Sequence, residues 1–524
     1  MALDVASSLV RATERYPDRI ALIFKEKRWT YSDWNRRVNR LAHGLSDFTV
    51  RPHDRVAIYM ENCEESVSTY FAVQKLGAIA VPLNFRLSAG EAEYIVRDSG
   101  ARILVYHENL RSEVEKMEDR CKGIQHHLCV GSGEAGPLPE HHRFESVIEA
   151  MERDEEPLYL NQPHDISALI YTSGTTGYPK GVIHTHENDI AIAMNCVMEY
   201  SLTSADLALH IAPLYHVGGL QAFFLPHLFV GGANVVLGRY DPAGTLKAIH
   251  RQGITSLFAV PTQIIQMMDH PDFGSYDTSS LRRITTGGAS ISAPTMQQVL
   301  DRLCPRLFNG YGMTEASLTL ILHPEDVLAK LGSCGKSTLV STARIIRYEG
   351  ENEILPHQVV ETGKVGQLIV HGPQVTPGYW NNLYASSHRF KNGWLYTGDL
   401  FSQDEDGFYF FEGRIDDMIV SGGENIYPRE VENVLLSIPG VQDAAVAGLP
   451  HPQWGQAVTA FVVREDNGLG EEDISRFFKE NHSIARFKRP RGVVFLNELP
   501  RNANGKVLRR TLVSNYSDFF GNAP

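Results

Sequence analysis

The stretch Tyr171-Thr-Ser-Gly-Thr-Thr-Gly-Tyr-Pro-Lys-Gly181 decides how this sequence of 524 residues is interpreted, because it joins a strand end to an anion-binding loop. The apolar run Ala168-Leu-Ile-Tyr171 predicts a buried strand that ends where the loop begins. Glycines allow backbone N–H groups to approach an anion closely, and successive N–H groups form a concave site for phosphate oxygens. Hydroxyl side chains add donors and Lys180 adds a positive charge. The loop therefore predicts a polyphosphate site.

The order of residues separates this loop from other glycine-rich loops. A P-loop requires Gly-Lys-Ser/Thr, whereas here Pro179 precedes Lys180 and Gly181 follows it. An ordinary Ser/Thr/Gly surface loop accounts for the composition but not for this order. The phosphate-binding interpretation is favoured for that reason.

Outward from the loop, short apolar runs alternate with segments of helical spacing up to about residue 400. Arg55-Val-Ala-Ile-Tyr-Met60 is typical of a buried strand, whereas residues 88–98 and 242–252 have the apolar spacing of helices. Strands that alternate with helices predict mostly parallel sheets covered on both faces. Further on, Asp404-Glu-Asp-Gly-Phe-Tyr-Phe-Phe411 predicts a turn that leads into a strand, and hence a hairpin.

The end of the sequence predicts a small unit of its own. Pro428 is placed to open a helix, and residues 472–480 predict a second one. Strands are expected at 443–448, 457–464 and 492–496. We therefore predict an α/β fold with two domains. Residues 1–416 form a large N-terminal body of mostly parallel sheets covered by helices, and residues 417–524 form a small, mobile α+β C-terminal domain.

Composition and charge exclude several classes of protein. The chain has 49 basic and 62 acidic residues, a formal charge of −13, which argues against a general nucleic-acid binder. The six cysteines include no CxxC pair, so we expect a reduced, cytoplasmic protein. Asp4 stands where a signal peptide is apolar, and no apolar run reaches the roughly 18–20 residues of a membrane span. Peripheral membrane contact stays open, as does the choice between monomer and homodimer.

The glycine–hydroxyl loop resembles the phosphate-binding signature of the adenylate-forming superfamily. That superfamily includes acyl-CoA and aryl-CoA synthetases, peptide-synthetase adenylation domains and beetle luciferases. The resemblance extends over nearly the whole chain through several motifs in the same order, and it is closest to fatty-acyl-CoA and aryl-CoA ligases. It implies ATP as a substrate. The residues of this loop implied to bind it are Thr172, Ser173, Gly174, Thr175, Thr176, Gly177 and Lys180, of which Thr176 and Lys180 are implied to be catalytic.

Two further motifs resemble the nucleotide-binding segments of the same superfamily. Asn309-Gly-Tyr-Gly-Met-Thr-Glu315 implies that Tyr311 lies near adenine, that Thr314 touches the α-phosphate and that Glu315 holds Mg²⁺. The physics agrees, because a hard cation prefers carboxylate and phosphate oxygens. Gly287-Gly288-Ala289 resembles the loop along the adenine and the acyl pocket. The remaining nucleotide-binding residues implied by the two motifs are Gly288, Ala289, Asn309, Gly310, Gly312 and Met313.

Three motifs near the C-terminus complete the implied adenylation site. Tyr396-Thr-Gly-Asp399 resembles the motif whose aspartate accepts hydrogen bonds from both ribose hydroxyls. In Gly413-Arg-Ile-Asp-Asp417, Arg414 is implied to contact ribose or phosphate, and Asp416 matches the hinge about which the small domain rotates. Pro500-Arg-Asn-Ala-Asn-Gly-Lys506 resembles the catalytic loop whose lysine, Lys506, reaches the carboxylate and the α-phosphate.

The thiol acceptor is predicted to be coenzyme A. Ser421-Gly-Gly-Glu-Asn425 resembles the acyl-CoA synthetase form of its motif, and Trp454 offers a face for the nucleotide end of CoA. The residues expected to contact CoA are Gly422, Gly423, Glu424, Trp454, Arg86 and the basic cluster of Arg486, Lys488, Arg489 and Arg491. A solvated basic face is the alternative for the cluster.

His216, in Pro213-Leu-Tyr-His216, matches the histidine at the junction of acid pocket and thiol tunnel, with a gating or positioning role. A core histidine satisfied by backbone is the alternative.

The predicted reaction activates a carboxylic acid with ATP to acyl-AMP and pyrophosphate, then transfers the acyl group to CoA with release of AMP. The region after His216 is apolar and contains small residues, which suits a long or flat hydrophobic acid. A medium- or long-chain fatty acid is favoured, with a benzoate- or cinnamate-type aryl acid as the alternative. Transfer to a carrier protein is a further alternative, whereas nothing in the sequence calls for the O₂ chemistry of a luciferase. A non-catalytic nucleotide sensor would be expected to have lost Lys506 or Glu315, and both are present.

Overall fold

The structure is a computed structural model, and the description covers part of the chain. The described residues are 3–131, 138, 140–157, 159–172, 179–289, 291–348, 354–421, 424–465, 468–480, 484–501 and 507–521. They divide into two compact units. The first comprises residues 1–343 and 370–395, and the second comprises residues 344–369 and 396–524. The predicted division at Asp416 falls inside the second unit, and the rotation of a small domain about this residue stays a prediction.

The described helices are α1 Val5–Arg15, α2 Tyr31–Asp47, α3 Glu64–Lys75, α4 Ala89–Ser99, α5 Arg111–Glu118, α6 Phe144–Glu149, α7 His186–Glu199, α8 Leu225–Phe229, α9 Pro242–Gln252, α10 Pro261–Met268, α11 Ala293–Arg302, α12 Leu383–Arg389, α13 Pro428–Leu435, α14 Glu471–Glu480 and α15 Arg509–Asn515. The described strands are β1 Ile20–Phe24, β2 Lys27–Thr30, β3 Arg55–Tyr59, β4 Ile79–Leu83, β5 Ile103–His107, β6 His126–Val130, β7 His142–Arg143, β8 Ile166–Thr172, β9 Lys180–Thr185, β10 Leu207–His210, β11 Ala233–Val236, β12 Ser256–Phe258, β13 Arg283–Gly287, β14 Leu307–Met313, β15 Ser317–Leu322, β16 Lys336–Ser337, β17 Thr342–Ile346, β18 Gly366–His371, β19 Phe390–Lys391, β20 Trp394–Gln403, β21 Tyr409–Arg414, β22 Ile419–Ser421, β23 Glu424–Ile426, β24 Val441–His451, β25 Gly455–Arg464 and β26 Gly492–Leu496.

Two large sheets organise the first unit. Their described strands follow the orders β16-β15-β14-β13-β12-β10-β11-β1-β2 and β7-β6-β5-β3-β4-β8-β9. In the first of these, the strands from β14 through β13, β12, β10 and β11 to β1 pair in parallel. In the second, parallel pairing runs from β7 to β8, and only β9 is antiparallel to its neighbour among the described pairs. The predicted α/β fold of mostly parallel sheets is confirmed.

The two helices predicted by apolar spacing form where local signals start and stop them. Ser88 is the N-cap of α4, and Gly100 ends the helix in the left-handed region at φ +64°, which glycine adopts without a Cβ clash. Asp241 caps α9, its first residue is proline, and Gly253 ends it at φ +68°. Capping of this kind contributes about 1 kcal/mol per helix.

The core of the first unit lies between helices α1–α3 and the sheets. It is built around large, fully buried side chains that include Trp34, Phe71 and Phe224, with the Trp34 ring edge-on to both phenylalanines at 5.5 and 6.1 Å. Trp34 Nε1 donates to the Ser68 hydroxyl at 2.8 Å, so the buried indole N–H is satisfied. This packing provides a rigid support for the strand ends.

The second unit contains the predicted hairpin and the predicted C-terminal elements. Strands β20 and β21 pair antiparallel around the 404–408 turn, beside β18 and β17. A further sheet has the described order β23-β22-β25-β24, with β26 parallel to β25. Pro428 is the first residue of α13, whose Val431 and Leu435 are buried against this sheet. The α+β character of the C-terminal region is therefore confirmed.

None of the described helices combines the length and the apolar composition needed to cross a bilayer.

Candidate functional site

The carboxyl ends of parallel strands bring several predicted segments to one edge of the first large sheet. β10, β12, β13 and β14 run in the same direction, so the segments that follow them emerge together. These segments contain His216, Gly288 and the residues up to Glu315. We call this edge, together with the adjoining ends of β8 and β9, the nucleotide edge.

The glycine–hydroxyl loop connects two antiparallel strands. Tyr171 lies opposite Gly181 and Thr172 opposite Lys180, so Thr172 and Lys180 stand as a pair at the two ends of the loop. Tyr171 is fixed by a 2.6 Å hydrogen bond from its hydroxyl to Asp98. A Cβ at Gly181 would lie 2.9 Å from the Tyr171 ring, which explains the glycine after the lysine. The hairpin thus positions the two ends of the predicted phosphate loop.

The second nucleotide motif is shaped by close backbone packing around glycines. β14 pairs with β15, and a Cβ at Gly312 would clash with the Ser317 carbonyl oxygen. A Cβ at Gly310 would meet the Leu318 side chain at 2.7 Å. Asn309 donates from Nδ2 to the Ser333 carbonyl at 2.8 Å. These glycines are needed for the close approach of β14 and β15.

Four further residues of these two motifs lie along the same edge. Tyr311 and Met313 are half-buried on β14, and Ala289 is half-buried after β13. Gly288, directly after β13, is exposed and adopts φ +77°, a left-handed conformation that favours glycine.

Tyr379 joins two of the predicted catalytic residues. Its hydroxyl donates to Glu315 Oε1 at 2.7 Å, and the Lys180 ammonium lies 5.4 Å from the centre of its ring. An isolated bridge between Val182 and Tyr379 holds the tyrosine beside β9. Burial and the Glu315 carboxylate both raise the pKa of Tyr379, so the hydroxyl keeps its proton and remains a donor. The sequence analysis had no signal for Tyr379, because it comes from a segment some 64 residues further along the chain.

A buried histidine–aspartate contact supports Thr314 from behind. His184 Nδ1 lies 3.0 Å from Asp189 Oδ1, and His184 Nε2 lies 3.1 Å from the Thr314 carbonyl oxygen. The imidazole is thus held between two oxygen atoms, one on each side of the ring. Asp189 also accepts from the Ser167 hydroxyl at 2.7 Å. Removal of one partner would leave a buried polar group without its hydrogen bond, which typically costs about 1–3 kcal/mol. This link positions the residue before Glu315, and sequence analysis missed it.

His216 is a neutral ring in a buried setting. Burial lowers the pKa of His216 to about 4, so the ring carries no charge near neutral pH. Its Nδ1 accepts from the Gly218 N–H at 3.3 Å, which leaves the ring proton on Nε2. A ring with this tautomer donates a hydrogen bond and does not act as a base. The geometry therefore supports positioning or gating rather than proton abstraction.

In the second unit, the structure brings Asp399 and Arg414 together. They are opposite each other on β20 and β21, and Arg414 Nε lies 3.1 Å from Asp399 Oδ1. Asp416 follows in a short turn after β21. Its neighbour Asp417 pairs with Arg509 at 3.3 Å, which ties the turn to α15. The roles of Asp399, Arg414 and Asp416 stay predictions.

Two contacts within the second unit involve residues that are predicted to bind CoA. The Arg491 guanidinium stacks 4.1 Å from the centre of the Trp454 ring, and Lys488 pairs with Glu430 at 2.5 Å. Arg486 is exposed and Arg489 half-buried. Lys488 and Arg491 of the expected basic face therefore already contact other side chains of the second unit. Arg491 covers one side of the Trp454 ring, which was predicted to contact the nucleotide end of CoA.

Two further residues that are predicted to contact CoA have exposed side chains. Glu424, the first residue of β23, is exposed. Arg86, which belongs to the first unit, is exposed and lies over the Phe85 ring at 5.4 Å. Both remain predictions.

Some predicted site residues lie outside the described part of the chain. These are Ser173, Gly174, Thr175, Thr176 and Gly177 of the phosphate loop, Gly422 and Gly423 of the thiol motif, and the lysine Lys506.

Comparison with known proteins finds two family models that match this chain. The model of the family described as AMP-binding enzyme matches residues 9–380, and the model described as AMP-binding enzyme C-terminal domain matches residues 430–506. Together they span the nucleotide edge and most of the second unit's C-terminal part.

Curated relatives match nearly the full length. A feruloyl-CoA synthase from an Amycolatopsis species is 36% identical over 502 residues, covering 95% of this chain and 96% of that protein. An indoleacetate–CoA ligase from Aromatoleum aromaticum is 34% identical and covers 94% of each chain. Among solved structures, the o-succinylbenzoate CoA synthetase from Bacillus subtilis, in complex with its acyl-adenylate intermediate, superposes with a TM-score of 0.83 at 32% identity. That match covers 96% of this chain and 97% of the other. The same enzyme in complex with ATP and magnesium ion gives a TM-score of 0.82 at 31% identity over 96% of this chain and 98% of the other.

Proposed function

Because the chain belongs to the AMP-binding enzyme family, we propose that it is an AMP-forming CoA ligase whose acid substrate carries an aromatic ring. The broader activity is that of an ATP-dependent acid–thiol ligase acting on acyl or aryl acids. The sequence alone favoured a fatty acid. The aryl alternative has the stronger support.

The observation that carries this proposal is the agreement among relatives over nearly the whole chain. Feruloyl, indoleacetate and succinylbenzoate groups differ in size and in the distance from ring to carboxylate, yet each contains an aromatic ring. Matches of 94% or more of the chain include the segments around His216 and after it, where we expect the acid to bind. An aromatic acid is the substrate class that these relatives have in common.

The wall beside His216 is suited to a flat group. Phe258 ends β12 at the nucleotide edge and packs against Phe223, with ring centres 5.9 Å apart. A Cβ at Gly218 would lie 3.4 Å from the Phe258 ring, so the glycine leaves that side of the ring uncovered. Aromatic rings that meet at such distances contribute about 0.5–1.5 kcal/mol beyond the burial of area.

ATP, Mg²⁺ and CoA are the cosubstrates and metal of the reaction, and the residues present fit the ion. Glu315 offers a carboxylate of which one oxygen is oriented by Tyr379, and oxygen is the donor that Mg²⁺ prefers. When bound, Mg²⁺ neutralises charge on the phosphates. Lys180 stands at the end of the phosphate loop, where it adds positive charge beside the same oxygens.

The first half-reaction needs positioning and electrostatic stabilisation more than covalent chemistry. A carboxylate oxygen attacks the α-phosphorus of ATP, the bond from this phosphorus to pyrophosphate breaks, and pyrophosphate leaves with the bonding electrons. Lys180, Lys506 and the donors of the phosphate loop stabilise the charge that moves onto phosphate oxygens. Thr314, whose carbonyl oxygen contacts His184, is expected to touch the α-phosphate.

The second half-reaction forms the thioester. The CoA thiol gives its proton to solvent, its sulfur attacks the acyl carbon, and AMP leaves with the electrons of the acyl–oxygen bond that breaks. Because Nδ1 of His216 is occupied by the Gly218 N–H, His216 donates from Nε2 toward the acid or thiol and does not accept the thiol proton. The small domain rotates about Asp416 between the two steps, so that one site serves both.

A substrate panel tests the acid class. Pyrophosphate and AMP release would be measured with ferulate, indoleacetate, 2-succinylbenzoate, benzoate, octanoate and palmitate, each with ATP, Mg²⁺ and CoA. We expect the highest kcat/KM for an aromatic acid, and AMP release that depends on CoA without a carrier protein. A fatty acid that exceeds all aromatic acids would overturn the aryl assignment and leave the ligase class intact.

The variant Gly218→Val sharpens the test, because its side chain would cover the Phe258 ring. It should lower kcat/KM for the preferred aromatic acid by about 10-fold, roughly 1.4 kcal/mol. Gly274→Val is the matched control, since a Cβ there meets no atom within 4 Å. Equal effects of the two variants would contradict the proposed wall.

A further inference from the structure

Two histidine doublets lie side by side on neighbouring strands, away from the nucleotide edge. β6 carries His126 and His127, and His141 directly precedes His142, the first residue of β7. The strands pair in parallel, so alternate side chains face opposite sides of the sheet. On one face the His127 and His141 rings stack with centres 4.0 Å apart and planes 5° apart. On the other face His126 and His142 both contact Phe48, at 4.7 and 4.5 Å.

A carboxylate completes the first of these faces. Glu118 is the last residue of α5, and its Oε1 lies 3.1 Å from His141 Nε2. One ligand atom from each of Glu118, His127 and His141 lies within 4.8 Å of the others. The Tyr106 hydroxyl contacts the other ring nitrogen of His141 at 2.8 Å. Among the described residues, this is a group of His and Glu side chains that converges as metal ligands do.

We propose that Glu118, His127 and His141 bind a divalent transition-metal ion such as Zn²⁺. Two imidazoles and a carboxylate are the donor set of many three-ligand zinc sites, in which water takes the fourth position. Ligand atoms about 2.1 Å from a tetrahedral ion stand about 3.4 Å apart. The 3.1 Å between His141 Nε2 and Glu118 Oε1 is already close to this spacing. Rotation of the His127 ring out of the stack would bring a nitrogen of that ring to a similar distance.

The contacts of His141 resemble those of a ligand held in place from behind. Glu118 only accepts, so the ring proton of His141 lies on Nε2 and the Tyr106 hydroxyl donates to Nδ1. Metal binding at Nε2 moves this proton to Nδ1, and the Tyr106 hydroxyl turns to accept it. The ring keeps one proton in both states. A second hydrogen bond of this kind fixes the tautomer and the orientation of metal-bound histidines.

The surroundings favour a transition metal over Mg²⁺. Imidazole nitrogen suits Zn²⁺, Co²⁺, Ni²⁺ and Cu²⁺, whereas Mg²⁺ prefers oxygen and keeps several waters. The ion would join the end of α5, strand β6 and the start of β7, which are three separate segments of the chain. Its expected effect is therefore on stability and not on the ligase reaction, whose own ion is held at Glu315.

The experiment uses the full chain without a polyhistidine tag, freed of metal by chelation and kept in excess Mg²⁺. Zn²⁺ binding is measured by competition with a chromogenic chelator, and Co²⁺ is added separately because tetrahedral Co²⁺ absorbs in the visible range. We expect about one tight ion per chain, the Co²⁺ absorption, and a higher Tm with Zn²⁺. His127→Ala and Glu118→Gln should weaken binding at least about 100-fold, and Tyr106→Phe by about 10–100-fold.

The chain supplies its own control. The double variant of His126→Ala and His142→Ala removes two histidines from the same strands but from the opposite face, so it should retain full affinity and the Co²⁺ absorption. Glu118→Gln guards against a folding defect, because Glu118 is half-exposed and the substitution conserves shape. Loss of Zn²⁺ binding in the control, equal affinity in all variants, or no tight ion in the parent chain would each overturn the proposal.

Discussion

The nucleotide edge and the basic cluster both present side chains where phosphates are expected, but they hold those side chains differently. At the nucleotide edge, Glu315 and Thr314 are oriented from behind by Tyr379 and by the buried His184–Asp189 pair. In the cluster, side chains are paired sideways with exposed or half-exposed neighbours, as Arg491 is with Trp454. A preorganised site gains most where charge develops during a reaction, whereas an exposed cluster contributes binding that salt screens. We therefore expect the chemistry at the first region and the capture of the cosubstrate CoA at the second.

The largest expected effect concerns Lys506, which the resemblance of its motif predicts to act in adenylation. Lys506→Ala should nearly abolish ATP–pyrophosphate exchange, by about 10²–10³-fold, because the positive charge predicted to stabilise the α-phosphate is lost. Thioester formation from synthetic acyl-adenylate and CoA should be largely retained. Rapid-quench assays of each half-reaction measure both. Equal loss of rate in the two half-reactions would contradict the proposed rotation of the small domain about Asp416 between the two steps.

Tyr379→Phe tests whether the hydrogen bond that orients the Glu315 carboxylate matters for the reaction. The variant removes the hydroxyl that donates to Glu315 but keeps the ring beside Lys180. A hydrogen bond to a charged acceptor contributes about 1.5–3 kcal/mol, so adenylation should slow by about 10-fold or more and require more Mg²⁺. Tyr384→Phe is the control, since that tyrosine is exposed on the same unit. An unchanged Mg²⁺ dependence in Tyr379→Phe would remove the proposed role of this contact.

Arg491→Ala should have a smaller effect, confined to CoA. We expect KM for CoA to rise by about 3–10-fold, since an exposed cation near phosphate contributes about 1 kcal/mol, and adenylation should be unaffected. The increase should shrink as salt rises, because exposed charges are screened. Arg476→Ala makes the same change of charge on α14 and serves as the control. If Arg476→Ala raises KM equally, only the net charge of the unit matters.

The smallest expected effect is a pH dependence of stability outside both regions. The hydrogen bond that His323 Nε2 donates to Glu199 Oε2, at 2.9 Å, raises the pKa of His323 above its ordinary value near 6.5. The protonated form therefore stabilises the folded chain at low pH, and this contribution is lost as the pH rises through the raised pKa. His323 is partly exposed, so the effect on Tm should be small. The difference in Tm between the parent chain and His323→Gln should narrow from pH 6 to pH 8; a constant difference would exclude the linkage.

Local patterns in the sequence predicted the positions of several helices and strands and the chemical character of the motifs. Apolar residues at helical spacing predicted a helix over residues 242–252, and α9 has these bounds. The strand at 492–496 was predicted with the bounds of β26. Such signals act between residues a few positions apart, so they can be recognised without the fold. The resemblance of the motifs to a known family also predicted which residues contact the nucleotide, and these roles stay predictions.

The sequence by itself determined the α/β class, the positions of several helices and strands, and the ligase family that the ordered motifs resemble. Only the tertiary structure decided which distant side chains support them: Tyr379 against Glu315, Asp189 and His184 against Thr314, and Glu118 beside His127 and His141. These contacts join residues that local spacing cannot relate, because they form only when parallel strands and the segments that cross them are packed together. Sequence patterns record local backbone preference and side-chain chemistry, whereas the partner of a buried polar group depends on the whole packed arrangement.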